Sequence, residues 1–262
     1  MDERSALTWL MVILGFAVIV YYGPPDLGCW GLGLMLGVLF VASGFLVLAA
    51  QLANKLPEHP QLDQVPGLKP DAEMAGILGQ FEALGMLPLG PPISIRITPS
   101  VTLVPLHHDA SLSYGSVYRV DHGPTRSLGW DFISIFEDPD GVLVTVPRAF
   151  HGILPHRPGE LIQVFLGATP EEAFRRHLET LLALKKEGLR VKPATAEDHS
   201  QYVVDSILHK RRSFLRHPLL GTWTFLWRAV TRSTPHMGPV LDQKVGAREV
   251  KDTLARRGLE DR

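Results

Sequence analysis

Phe132-Ile133-Ser134-Ile135-Phe136-Glu137-Asp138-Pro139-Asp140-Gly141-Val142-Leu143-Val144-Thr145-Val146 decides the fold class of this chain. β-Branched and aromatic residues crowd both sides of Asp138-Pro139-Asp140-Gly141, a tetrapeptide built for a reversal. The stretch reads as two strands, 128–137 and 142–146, joined as a hairpin. Working outward, Ile93, Ile95 and Ile97 alternate with Ser94, Arg96 and Thr98, the period of a half-buried strand. Further strands are predicted at 101–106, 114–120 and 161–166. Strands that follow one another without helices between them predict an antiparallel meander.

Helices bracket this meander. Asp71 caps a helix that ends near Gly85, with Met74, Ile77, Leu78, Phe81 and Leu84 on one face. Thr169-Pro170-Glu171-Glu172 is a capping box with proline at the first helical position, and Gly188 closes the helix it opens. Thr195-Ala196-Glu197-Asp198 opens another, predicted to run to about Phe214. The expected architecture for 71–192 is α+β, and 193–262 reads as a basic helical region.

Upstream the composition changes. Leu7–Tyr22 and Trp30–Leu52 are uncharged runs of 16 and 23 residues, against the roughly 20 needed to span a bilayer. Between them Gly23-Pro24-Pro25-Asp26-Leu27-Gly28 breaks any helix. Residues 1–53 are therefore expected to form a transmembrane helical hairpin with spans at about 6–22 and 30–52. A proline-rich linker, 54–70, follows. A cleaved signal peptide is disfavoured because Met1-Asp2-Glu3-Arg4 is not positive. Asp26, three residues before Cys29, argues against a lipoprotein. Arg4, Lys55 and Lys69 flank the outer ends and the turn has no cation, which predicts both termini in the cytoplasm of a bacterial cell, at its plasma (inner) membrane. Gly33 and Gly37 form a GxxxG pair and Gly44 follows on the same face. That face suits close helix packing, either within the hairpin or against a protein partner or a second copy of the chain.

Charge divides the same way. The chain of 262 residues has a net charge of -1 and a mean hydropathy of +0.10. Residues 1–53 hold one Lys or Arg against three Asp or Glu, 54–204 hold 13 against 18, and 205–262 hold 12 against 6. An uncharged anchor, an acidic domain and a basic tail cancel. The near-neutral whole argues against nucleic acid as a partner. In the basic part Arg211, Arg212 and Arg216 precede Pro218, and Leu219, Trp223, Leu226, Trp227 and Val230 share one helical face, followed by Arg228. Such a segment suits the membrane interface, and the lipid bilayer is the expected partner. Packing of the same segment on the sheet is the competing expectation.

Signals for chemistry are sparse. No phosphate-binding glycine loop and no G-x-S-x-G elbow is present, and one cysteine excludes a Cys-rich metal site. His107, His108 and Asp109 form the densest metal-type cluster, yet adjacent residues on a strand face opposite ways. His177 is expected at the edge of the core. Asp131, Glu137, Asp138 and Asp140 read as turn and edge residues. No cofactor is predicted. The expected function is a membrane-anchored cytoplasmic binding or scaffolding protein whose basic tail contacts membrane or an acidic partner. Two alternatives stand beside it: a membrane-tethered hydrolase using His107, His108 and Asp109, and a hairpin subunit of a larger membrane complex.

Overall fold

The computed structural model describes residues 27–123, 125–138, 141–147, 157, 159–219, 222, 223 and 226, with the side chains of 27–36, His122 and Asp138 left aside. The first predicted span, the hairpin turn 23–26 and the tail beyond 226 lie outside the described residues. Helix α1 (Leu27–Asn54) is followed by β1 (Leu62–Gln64), α2 (Ala72–Ala83), β2 (Leu87–Pro88), β3 (Ile93–Ile95), β4 (Ser100–His108), β5 (Ser113–His122), β6 (Thr125–Asp138), β7 (Gly141–Val146) and β8 (Glu160–Val164). Helix α3 (Pro170–Lys186), β9 (Arg190–Val191) and α4 (Ala196–Arg216) complete the described chain.

One mixed sheet holds all nine strands, ordered β1-β3-β4-β5-β6-β7-β8, with β2 on β4 and β9 on β6. Its middle is antiparallel as predicted: Val117 faces Trp130, Phe132 faces Thr145 and Ser134 faces Leu143. The last pairing departs from the meander, because β8 runs parallel to β7 with Val144 opposite Ile162. A tight turn cannot make a parallel neighbour, so β7 and β8 are not the two arms of a hairpin. β1 falls inside the stretch read as linker, where Asp63 pairs Ser94. β2 and β9 are two-residue additions that alternation cannot reveal. Helix α1 starts at Leu27, so Leu27 and Gly28 belong to the helix and not to the turn.

The caps behave as their chemistry demands. Asp71 accepts from the Met74 N–H, Thr169 from Glu172 and Thr195 from Asp198, satisfying amides that a helix start leaves open. Period-two alternation then sorts the strand residues to two faces. One face, under α2 and α3, packs Phe81, Phe132, Trp130 and Phe174, with Phe81 stacked on Phe132 at 4.8 Å. The other, under α4, packs Tyr114, Ile133, Val144 and Ile162 against Tyr202. Helix α4 also packs on α1, joining the sheet to the apolar helix.

Candidate functional site

Helix α1 is apolar along Gly37–Asn54 and long enough there to cross a membrane, yet only 17% of that stretch is buried. Val38, Leu39, Val41, Leu46 and Val47 are exposed. Ala49 and Ala53, by contrast, are buried at the end of α1 that meets α4. Small residues there let the two helices approach closely. Arg211 Nε donates to the Leu56 carbonyl at 3.1 Å, and its guanidinium lies 3.9 Å from Glu58. Beyond Arg216 the chain bends at His217, and Pro218, Leu219, Thr222, Trp223 and Leu226 are helical again. The buried Thr222 donates to the Phe45 carbonyl at 3.5 Å, and the Trp223 ring lies 6.2 Å from Phe45.

The residues predicted for the interface therefore divide. Arg212 and Arg216 are exposed and Trp223 is 55% exposed beside α1. Arg211 turns inward to bind the end of α1. Trp227 and Arg228 lie outside the described residues. Of the glycine face, Gly37 is buried and Gly44 partly so, while Gly33 lies in the part of α1 described by backbone alone.

Between α4 and the sheet lies a buried polar cluster that the sequence does not announce. Ser116 on β5 pairs with Asp131 on β6, and its hydroxyl bonds both Asp131 and His199 Nε2, the latter at 3.1 Å. Burial pushes the Asp131 carboxyl up to about 7, against the pull of Ser116 and Lys210. Burial likewise pushes His199 down to about 4. Tyr202 donates to Glu160 Oε1 at 2.7 Å while the Arg157 N–H caps Oε2 at 3.1 Å. Lys210 keeps part of its surface exposed, but desolvation of its ammonium lowers its pKa despite Glu160 and Asp131. Asp131 is thus a core residue under α4, not the turn or edge residue that its neighbours in sequence suggest.

Ser116, Asp131 and His199 are the residue types of a hydrolytic triad, but their order is wrong for one. A triad places the carboxylate on the far nitrogen of histidine, where it orients the ring. Here the carboxylate bonds the serine, His199 Nδ1 has no partner, and Ser116 is 1% exposed. The arrangement orders α4 on the sheet and gives substrate no access to the hydroxyl.

A second polar chain crosses the opposite face. His108 Nδ1 bonds Ser111, which donates to Ser113, which meets Ser134 at 2.9 Å. Ser134 meets His177 Nε2 at 2.9 Å, and His177 Nδ1 meets Thr145, also at 2.9 Å. Thr145 donates to Gln163, whose amide donates to Thr180. His177 is fully buried, deeper than the core edge expected for it, and burial holds its pKa down at about 3. A neutral ring with both nitrogens engaged is a structural crosslink.

His107 and His108 occupy opposite faces of β4, opposite Tyr114 and Ser113 respectively. His107 Nε2 lies 3.0 Å from Asp109, and the His108 ring packs edge-on to Phe174 at 5.1 Å. No three His, Cys, Asp or Glu side chains among the described residues converge to hold a metal ion. The strand pleat explains this, since it separates the two rings.

No protein-family model, curated protein or solved structure matches the chain.

Proposed function

We propose that this chain is a membrane-anchored binding or scaffolding protein, in which α1 is the anchor and the α+β domain is the cytoplasmic module. The observation that carries this reading is the exposed apolar surface of Gly37–Asn54. A helix in the core of a soluble protein buries such side chains, and a surface helix carries a polar face instead. Five exposed aliphatic side chains on one helix are stable in lipid and costly in water. Helix α4 then fixes the module to the anchor rather than leaving it on a loose tether. Together with the basic charge of residues 205–262, this holds the domain against the inner leaflet, and with 6–22 as a second span both termini are in the cytoplasm.

The test uses the full chain, expressed with a carboxy-terminal tag in bacterial cells. It should stay in the membrane pellet after an alkaline carbonate wash. Leu39→Lys/Val41→Lys should release a large part of it, because each charge in the hydrocarbon costs about 3 kcal/mol. Release of the unmodified chain by carbonate overturns the anchor. Crosslinking in native membranes reads the scaffolding half: a chain recovered only as an uncrosslinked monomer counts against it.

A further inference from the structure

Helix α4, Thr222 and Trp223 meet α1 over its carboxy-terminal part. Helix α1 has 28 residues, or about 42 Å of length at 1.5 Å per residue. The hydrocarbon core is about 30 Å thick. A helix of this length exceeds that thickness, so part of it stands outside the hydrocarbon. Its last turns carry Ala49 and Ala53, which the cytoplasmic module covers. Phe45 is where Trp223 packs, and aromatic rings gather at the boundary between acyl chains and headgroups. Leu219 and Trp223, spaced four apart, are 48% and 55% exposed close to this level, and Leu215, 49% exposed, stands nearer the Arg211 end of α4. Arg212 and Arg216 are exposed.

We propose that the bilayer surface crosses the molecule at the level of Phe45 and Trp223, with Leu219 and Trp223 dipping into it and Arg212 and Arg216, farther out along α4, binding the phosphates of anionic lipid headgroups. The proposal rests on the reading of α1 as a span. Two features commit the surface to lipid. It is continuous with the exposed apolar side of α1, and its cations match the charge of the inner leaflet. Guanidinium groups pair with phosphate through two parallel hydrogen bonds, so arginine suits this role.

Depth-dependent quenching tests it. In a Cys29→Ser background, single cysteines replace Val41, Leu219 or Leu182, the last an exposed position on α3. Each full-length variant is labelled with an environment-sensitive fluorophore and placed in nanodiscs of phosphatidylcholine, with or without phosphatidylglycerol. Quenchers sit on lipid chains at a shallow or a deep carbon. The label at 41 should respond to the deep quencher, the label at 219 to the shallow one, and the label at 182 to neither. Phosphatidylglycerol should raise shallow quenching at 219 by about twofold, and Arg212→Glu/Arg216→Glu should abolish that gain while leaving the response at 41 unchanged. A label at 41 that no lipid quencher reaches overturns the anchor itself. With 41 quenched, a label at 219 that stays aqueous, or that answers the deep quencher best, overturns the proposed depth alone. A gain at 219 that survives the charge reversal overturns the headgroup contact.

Discussion

Asp131 and His177 are both buried ionisable residues, yet they pull stability in opposite directions with pH. The folded protein holds the Asp131 proton up to about pH 7, whereas the unfolded chain releases it near 3.8. The native state therefore binds more protons in that window, and its stability falls as pH rises through it. At 1.4 kcal/mol per tenfold, full ionisation of Asp131 costs on the order of 4 kcal/mol. Asp131→Asn should accordingly melt above the parent at pH 8, with the gap closing towards pH 5; equal gaps at both values refute the assignment. His177 works the other way. Its folded pKa of about 3 lies below the ordinary 6.5, so the unfolded chain takes up the proton first and stability is lost as pH falls below 6.5. His177→Leu should lower stability at pH 7 by about 2–4 kcal/mol, since it strands the Ser134 and Thr145 hydroxyls. The same variant should lose less stability than the parent between pH 7 and pH 4, which paired denaturant titrations would read. Neither role is legible from the sequence. Asp131 stands near an acidic hairpin, and Ser116 and His199 meet across 83 positions of chain. The face of His177 on its helix was readable from its spacing to Phe174, but not the depth of that face or its partners.

At the scale of elements the local signals carried far. Asp71, Thr169 and Thr195 cap helices because their side-chain oxygens sit where open amides need acceptors, a rule that operates within four residues. Strand identity was equally local. Strand partnership was not: alternation says that 161–166 is a strand, while its neighbour and direction depend on the path of the preceding connection. Close packing also escaped the reading. A Cβ at Gly115 would stand 2.8 Å from the Phe81 ring, inside the stack with Phe132, so this glycine is demanded by a neighbouring ring rather than by a turn. Gly115→Ala should cost about 1–3 kcal/mol, measurable as a lower denaturation midpoint with unchanged slope. Thr169→Ala should cost about 1 kcal/mol by removing the cap of α3, and Thr169→Ser should restore most of it. If Ala and Ser behave alike, the hydroxyl is not what holds that helix start.

Across the whole molecule, charge asymmetry divides the chain into an apolar, an acidic and a basic part, and the described residues show how the start of the basic part packs. One arginine of the cluster serves structure and two face outward, a division that depends on the meeting of α4 with α1 and is invisible to composition. Arg211 binds a carbonyl at the end of α1, so its loss should loosen the junction. Arg211→Ala should raise proteolytic cleavage between Leu56 and Gln61 by several-fold in membranes while cleavage elsewhere stays constant. A uniform rise would instead mean that the domain as a whole has weakened.

The clasp of α4 on α1 has a consequence in time. A ribosome delivers α1 well over a hundred residues before α4, and the strands from β3 to β7 can pair in the interval. Helix α4 follows them all, and it needs two surfaces at once: a finished sheet for His199 and Tyr202, and the end of α1 for Arg211. Its seat is therefore complete only when both surfaces are in place. A chain whose sheet has paired wrongly, or whose first helix is displaced, offers only half of that seat.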